Sequence, residues 1–212
     1  MQGCQFSDQT KAGGSDLVLN GLGLRQATMM KVNVYVAALY VAQRSADANA
    51  ILASNTPKDL ILQFVRDVGG ADLSKGWQEG FDNNAKDQLP ALKERIEKLK
   101  SLMADMKSGQ RLTFIAKPGA GVEVNVNGTV NGTIEGDDFS RAFLSIWLGA
   151  MPPNPGLKTG LLGGACGRSV AAGADGVNGK VIIAKEDSIN KTTAQTVETR
   201  IGKLDFELGA PT

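Results

Sequence analysis

The sequence has no histidine among its 212 residues. That absence removes Ser-His-Asp and Cys-His nucleophile systems, His-ligated zinc and any imidazole proton shuttle. Cysteine is nearly missing as well: Cys4 and Cys166 are the only two, too few for a four-thiolate metal site. They fit either a disulfide joining the two ends in an oxidising compartment or two unrelated thiols. No apolar run approaches the roughly 18–20 residues that a bilayer-spanning helix needs, so no integral membrane segment is expected. Charge of one sign is not in excess either: 23 Lys and Arg face 22 Asp and Glu, a net charge of +1. Such a balance leaves no electrostatic footprint for nucleic acid. Met1 runs at once into polar, strand-like sequence, with no secretion signal. What is present is 42 % apolar and 21 % charged, the balance of a globular protein. The length suits one sizeable domain, or one domain with a tail. Any chemistry falls to Arg, Tyr, Asn and the carboxylates.

Along the chain, Gly13-Gly14 and Asn20-Gly21 read as turns between short strands in residues 1–24. Val32 to Val41 is β-branched and aromatic-rich, the best strand candidate. Ser45 is placed to cap a short helix, with Asp47 near its positive end. Leu60 to Val68 is a second apolar run of strand length. Ser74 is placed to cap a helix bearing Trp77, Phe81 and Asn84 on one face. Pro90 suits the first turn of the next helix, whose Leu92, Ile96, Leu99 and Met103 form an apolar stripe. Residues 111–116, then VEVNV, then TVNGTI read as three antiparallel strands, with Asn127-Gly128 as a two-residue hairpin turn. Asp137 or Asp138 is expected to cap a final helix carrying Phe139, Phe143 and Trp147. Gly149 and the Pro152–Gly156 loop would end it.

Beyond Gly163 the texture changes. Residues 164–212 contain one aromatic residue, Phe206, amid Gly, Ala, Thr, Asn and Lys. Such a segment lacks the apolar density for its own core. It reads as a tail, disordered or draped on the domain, or as a fused extension. The expected organisation is therefore a domain over 1–163 and a tail over 164–212.

Phosphate-loop and dinucleotide signatures are missing: Gly21-Leu22-Gly23 leads into Arg25 without the third glycine or an evident helix. Asp137-Asp138 is better explained by a helix start than by half a metal site. No metal and no cofactor are expected. Arg25 stands out because it lies between a Gly-rich turn and the most hydrophobic strand, where a guanidinium must find an anion or reach solvent. Tyr35 shares its strand face with Asn33 and Ala37, so its hydroxyl can join Arg25 over a cleft.

The ordered stretches Leu19–Arg25, Lys31–Val41, Phe64–Asp67, Trp77–Phe81 with Asn84, Val124–Gly128, Ile146–Gly149 and Leu157–Gly163 together resemble bacterial chalcone isomerase-like proteins. The resemblance extends to plant chalcone isomerases and plastid fatty-acid-binding proteins. It implies an α+β fold: an open-faced β-sandwich, with helices packed on one face of a large antiparallel sheet and a ligand cleft between. The family's cleft arginine falls on Arg25 and its cleft asparagine on Asn84. Its strand threonine falls on Tyr35, its helix tyrosine on Trp77 and its late Ser/Thr on Ile146, where no donor remains. The implied ligand-binding set is Arg25, Tyr35, Trp77, Phe81, Asn84 and Ile146, and a catalytic set would be Arg25, Asn84 and Tyr35.

Two functions follow from that resemblance. One is binding of a small amphipathic anion such as a fatty acid, clasped by Arg25 and Tyr35. The other is chalcone-type isomerisation, an intramolecular lyase reaction in which Arg25 holds the oxyanion and Asn84 positions a phenolic ring. The lost donors at Trp77 and Ile146 favour binding. Relatives of this kind look exported in bacteria, so a periplasmic location is expected.

Overall fold

The structure is a computed structural model, which describes residues 5–27, 31–164, 197–199 and 202–204. Seven strands form one antiparallel sheet in chain order: β1 (Gln9–Ala12), β2 (Ser15–Ala27), β3 (Val32–Val41), β4 (Lys58–Phe64), β5 (Arg111–Lys117), β6 (Gly121–Val126) and β7 (Thr129–Ile134). Five helices interrupt or follow it: α1 (Ala48–Ala53), α2 (Gly70–Asn84), α3 (Leu89–Ser101), α4 (Asp137–Leu148) and α5 (Pro155–Leu161). The expected open-faced α+β arrangement is what the chain adopts. β8 (Val197–Thr199) and β9 (Gly202–Leu204) pair as a second, two-stranded antiparallel sheet. Apart from that pair and Gly164, the segment read as a tail lies outside the described residues, as do Cys4 and Cys166.

Alternation sets the sheet's two faces. Tyr35, Ala37 and Leu39 of β3 meet Phe64, Leu62 and Leu60 of β4 across the ladder, and all six are buried on the helix side. Leu112 and Phe114 of β5, and Val122 and Val124 of β6, extend that face. The helices cover it with five of the chain's eleven aromatics. Phe114 and Phe143 have ring centroids 4.6 Å apart, Phe143 and Trp147 5.1 Å, and Trp77 and Trp147 5.3 Å. Where α2 crosses α4, a Cβ at Gly80 would sit 2.6 Å from Ile146 Cγ2, so the missing side chain permits the close crossing.

The opposite face bears Tyr40, whose hydroxyl donates to the Ser7 carbonyl at 2.8 Å. Asp59 lies there too, only 3 % exposed, with Oδ1 lacking a partner among the described residues. Burial pushes its carboxyl up to about 7.

Several local expectations are corrected. Asn20-Gly21 is not a turn but a register shift inside the long β2. Gly21 is needed because a Cβ would lie 2.1 Å from the Gly160 carbonyl of α5. Asn20 instead ties three segments, donating to the Ser45 and Leu161 carbonyls and accepting the Ser45 N–H. Asp47, not Ser45, caps α1, accepting from the Asn49 and Ala50 N–H groups. Gly69, not Ser74, is the N-cap of α2, so the helix begins earlier and Asp72 occupies its first turn. Gly136 precedes α4, and both Asp137 and Asp138 fall in its first turn. β4 spans Lys58–Phe64 and stops short of Val68. The Pro-rich segment does not merely end a helix: Asn154 and Pro155 begin α5, proline serving at a first-turn position where no N–H is needed. The Gly13-Gly14 and Asn127-Gly128 turns stand as read, all four residues having positive φ.

Candidate functional site

Between the helix-side face of β2–β3 and the helices lies a cleft of ≈ 700 Å³. Arg25, Tyr35, Trp77 and Ile146 line it, together with Arg66 from the segment after β4 and Pro153 from the α4–α5 connection. Phe81 and Asn84 do not line it.

Arg25 and Tyr35 are direct cross-strand partners in the β2–β3 ladder, so they project side by side from one face. One guanidinium nitrogen of Arg25, Nη1, donates to the backbone carbonyls of Gln26 and Pro153. No carboxylate pairs with Arg25 among the described residues, and Nε and Nη2 keep their donors. The Pro153 carbonyl is itself placed by the next residue: Asn154 Oδ1 accepts from the Gln26 N–H at 3.2 Å and Nδ2 donates to the Leu24 carbonyl at 3.1 Å. The α4–α5 connection is thereby laced to the edge of β2.

Tyr35 is 4 % exposed. Its hydroxyl oxygen accepts from Trp147 Nε1 at 3.0 Å. Burial pushes the phenol up to about 12, against the opposing pull of the Trp147 hydrogen bond and the Arg25 charge. The hydroxyl therefore stays protonated at any physiological pH, and its own hydrogen remains available as a donor beside the Arg25 cation.

Trp77 contributes no donor to the cleft. Its indole N–H points to Met103 Sδ at 3.1 Å, leaving ring surface as wall. Ile146 adds apolar wall only. Phe81 is fully buried behind the cleft, its ring 5.7 Å from Phe139 and 6.3 Å from Phe143. Asn84 spends its amide on backbone: Nδ2 donates to the Gly80 and Met151 carbonyls at 3.0 and 2.9 Å, and Oδ1 accepts the Met151 N–H at 2.9 Å. It clasps the segment that carries Pro152 and Pro153 along the cleft.

Three participants escaped sequence reading. Trp147 was legible only as one of three aromatics at helical spacing, though a buried indole N–H must find an acceptor. Arg66 lies in the family-like stretch Phe64–Asp67 without being singled out there, and Lys75 carries no sequence signal that separates it from other surface cations.

Chemically, the cleft offers the Arg25 cation beside a neutral hydroxyl donor and the apolar surface of Val34, Leu73, Trp77 and Ile146, while Arg66, Asp67, Asp72, Lys75 and Glu79 add charge of both signs to its lining. That set anchors an oxyanion and shelters a hydrocarbon or ring.

A family model described as chalcone isomerase-like matches residues 1–163; the chain belongs to that family. No curated protein matches it in a sequence search. Among solved structures, the crystal structure of an Arabidopsis thaliana fatty-acid binding protein is similar, with a TM-score of 0.61 at 17 % identity. The match covers 74 % of this chain and 90 % of that one, and it shows a shared fold.

Proposed function

As a chalcone isomerase-like family member with this cleft, the protein is, we propose, a binder of an amphipathic carboxylate such as a fatty acid. The observation that carries the reading is the cross-strand pair Arg25 and Tyr35. The guanidinium lacks a carboxylate partner among the described residues, and the hydroxyl has its acceptor filled and its proton to give. A carboxylate meets both needs with charge-assisted hydrogen bonds. The cleft volume of ≈ 700 Å³ lies within the about 300–1,000 Å³ usual for small-molecule sites. The fold shared with a fatty-acid binding protein supports the same reading.

Mechanistically, Arg25 and Tyr35 fix the headgroup while Trp77, Ile146 and Val34 shelter the chain from water. The chalcone-type alternative asks for several oriented donors around a developing enolate. Here the Trp77 N–H is spent on Met103, Asn84 is spent on Met151, and Ile146 has none. Arg25 and Tyr35 remain, which is enough to hold an anion.

Native mass spectrometry of the gently purified protein, beside its Arg25→Ala variant, tests the proposal. A co-purified fatty acid lost in the variant supports it. A parallel absorbance assay with a 2′-hydroxychalcone tests the alternative. Turnover that depends on Arg25 would replace binding with isomerisation, and ligand retention unaffected by the substitution would remove Arg25 from the site.

A further inference from the structure

A second cavity, of ≈ 160 Å³, lies between the end of α1, the start of β4, the β5–β6 turn and the first turns of α4. It shares no lining residue with the large cleft. Its volume is well under the about 300 Å³ at which drug-sized pockets begin, which excludes acyl chains and fused rings.

At its wall stands Lys58, only 5 % exposed. Its Nζ donates to the Ser54 and Thr56 carbonyls at 2.7 and 2.9 Å. Two of three ammonium protons are thus placed, on dipoles and not on a counter-charge. Burial draws the ammonium pKa down, while Asp137 draws it up and Arg141 draws it down further. Lys58 thus lies within the field of both charges. Lys117, also on the lining, is satisfied by Glu123 at 2.6 Å. Arg141 lines the cavity from α4 and has no carboxylate partner among the described residues. Two cations thus face one carboxylate, beside the apolar walls of Leu52 and Leu144. A buried ammonium with no carboxylate in hydrogen-bond contact, sharing one nearby carboxylate with a second cation, is costly, and an anion entering this space would offset that cost.

Asp137 narrows the class of anion. Its Oδ1 accepts the Gly119 N–H at 2.8 Å, leaving Oδ2 toward further donors. A fully deprotonated oxyanion would be repelled there. One that carries a P–OH group can donate to the carboxylate while its other oxygens accept from Lys58 and Arg141. We propose that this cavity is a binding site for a hydrogen-phosphate group, held by Lys58 and Arg141 and discriminated from sulfate by Asp137.

The site is independent of the carboxylate cleft, so its test does not depend on that reading. The full chain is titrated with sodium phosphate at constant ionic strength, and amide ¹H–¹⁵N shifts are followed. The expected result is saturable movement of Ser54, Thr56, Lys58, Ser140 and Arg141, with the Arg25 and Tyr35 amides unmoved. Sulfate should bind at least several-fold more weakly, and Asp137→Asn should narrow that gap. Arg141→Gln, a surface change that leaves the core alone, should weaken phosphate about tenfold or more. Methyl phosphate then distinguishes a free ion from the terminal group of a larger molecule: binding admits the monoester, and no binding restricts the site to the ion. Equal shifts with chloride, or an affinity unchanged in Arg141→Gln, would overturn the proposal. Sulfate binding as tightly as phosphate would overturn the role given to Asp137.

Discussion

Replacing Arg25 by Leu removes the guanidinium while keeping an apolar stem against the cleft wall. A hydrogen bond to a charged group contributes about 1.5–3 kcal/mol, so binding of a fluorescent fatty acid should weaken by about 10–150-fold. Arg25→Lys should recover part of that, since one ammonium cannot reproduce the two-pronged fork. On the sheet's other face, Asp59 sets a pH dependence of stability. Its carboxyl titrates near 3.8 when unfolded and about 7 when folded. Between those values the folded state binds the extra proton, so stability is full below pH 3.8 and is lost as pH rises through 7. Tyr40 is the titratable group that senses its charge, and Asp8 and Arg111 act in turn on that phenol; Asp59 Oδ1 takes no hydrogen bond among the described residues. At about 1.4 kcal/mol per pK unit the loss reaches a few kcal/mol. Thermal unfolding of Asp59→Asn at pH 5, 6.5 and 8 should show its advantage over the parent growing with pH. Parallel curves would exclude that role.

At the scale of elements, two glycines of different surroundings make a paired test. A Cβ at Gly21 in β2 would meet the Gly160 carbonyl of α5 at 2.1 Å, whereas at Gly76 in α2 nothing lies within 4 Å. Denaturant unfolding should therefore show Gly21→Ala destabilising by about 1–3 kcal/mol or more. Gly76→Ala should stabilise by about 0.4–1 kcal/mol, through the entropy of the unfolded chain. The contact between β2 and α5 explains why Asn20-Gly21 misleads a reader of sequence. The same dipeptide chemistry that makes a turn also admits a helix backbone against a strand, and only the tertiary partner decides. Asn127-Gly128 is legible because the adjacent strands alternate and pair locally. Ser45 and Ser74 mislead because several polar residues compete for each helix start, and packing chooses among them. The site divides in the same way. Arg25 and Tyr35 are neighbours in a ladder between consecutive strands, so a family pattern exposes them. The Trp147–Tyr35 bond joins residues 112 apart in sequence, which no local pattern encodes. Asn84 gives a further test at this scale. Asn84→Ala releases both hydrogen bonds to Met151, so stopped-flow displacement should show a faster ligand off-rate with a smaller change in on-rate.

For the molecule as a whole, ligand binding and stability are linked. If the cleft holds the native state's ligand, a fatty acid at 100 times its Kd should add about 2.7 kcal/mol to unfolding free energy. Calorimetry should show that gain in the parent and its loss in Arg25→Leu. The strand order bears on a different matter. Within the seven-stranded sheet every strand pairs with its neighbour in sequence, so that sheet needs no distant partner to begin. The cleft does: β2 and β3 are early in the chain, while α4 and α5 come after the last strand of the sheet. As the polypeptide leaves the ribosome, the seven strands, α2 and α3 are synthesised before α4 and α5, the rest of the roof. For that interval Tyr35 lacks Trp147, its hydrogen-bond partner on α4, and the apolar face that α4 covers stays open to water, the kind of transient exposure that makes a nascent chain prone to association.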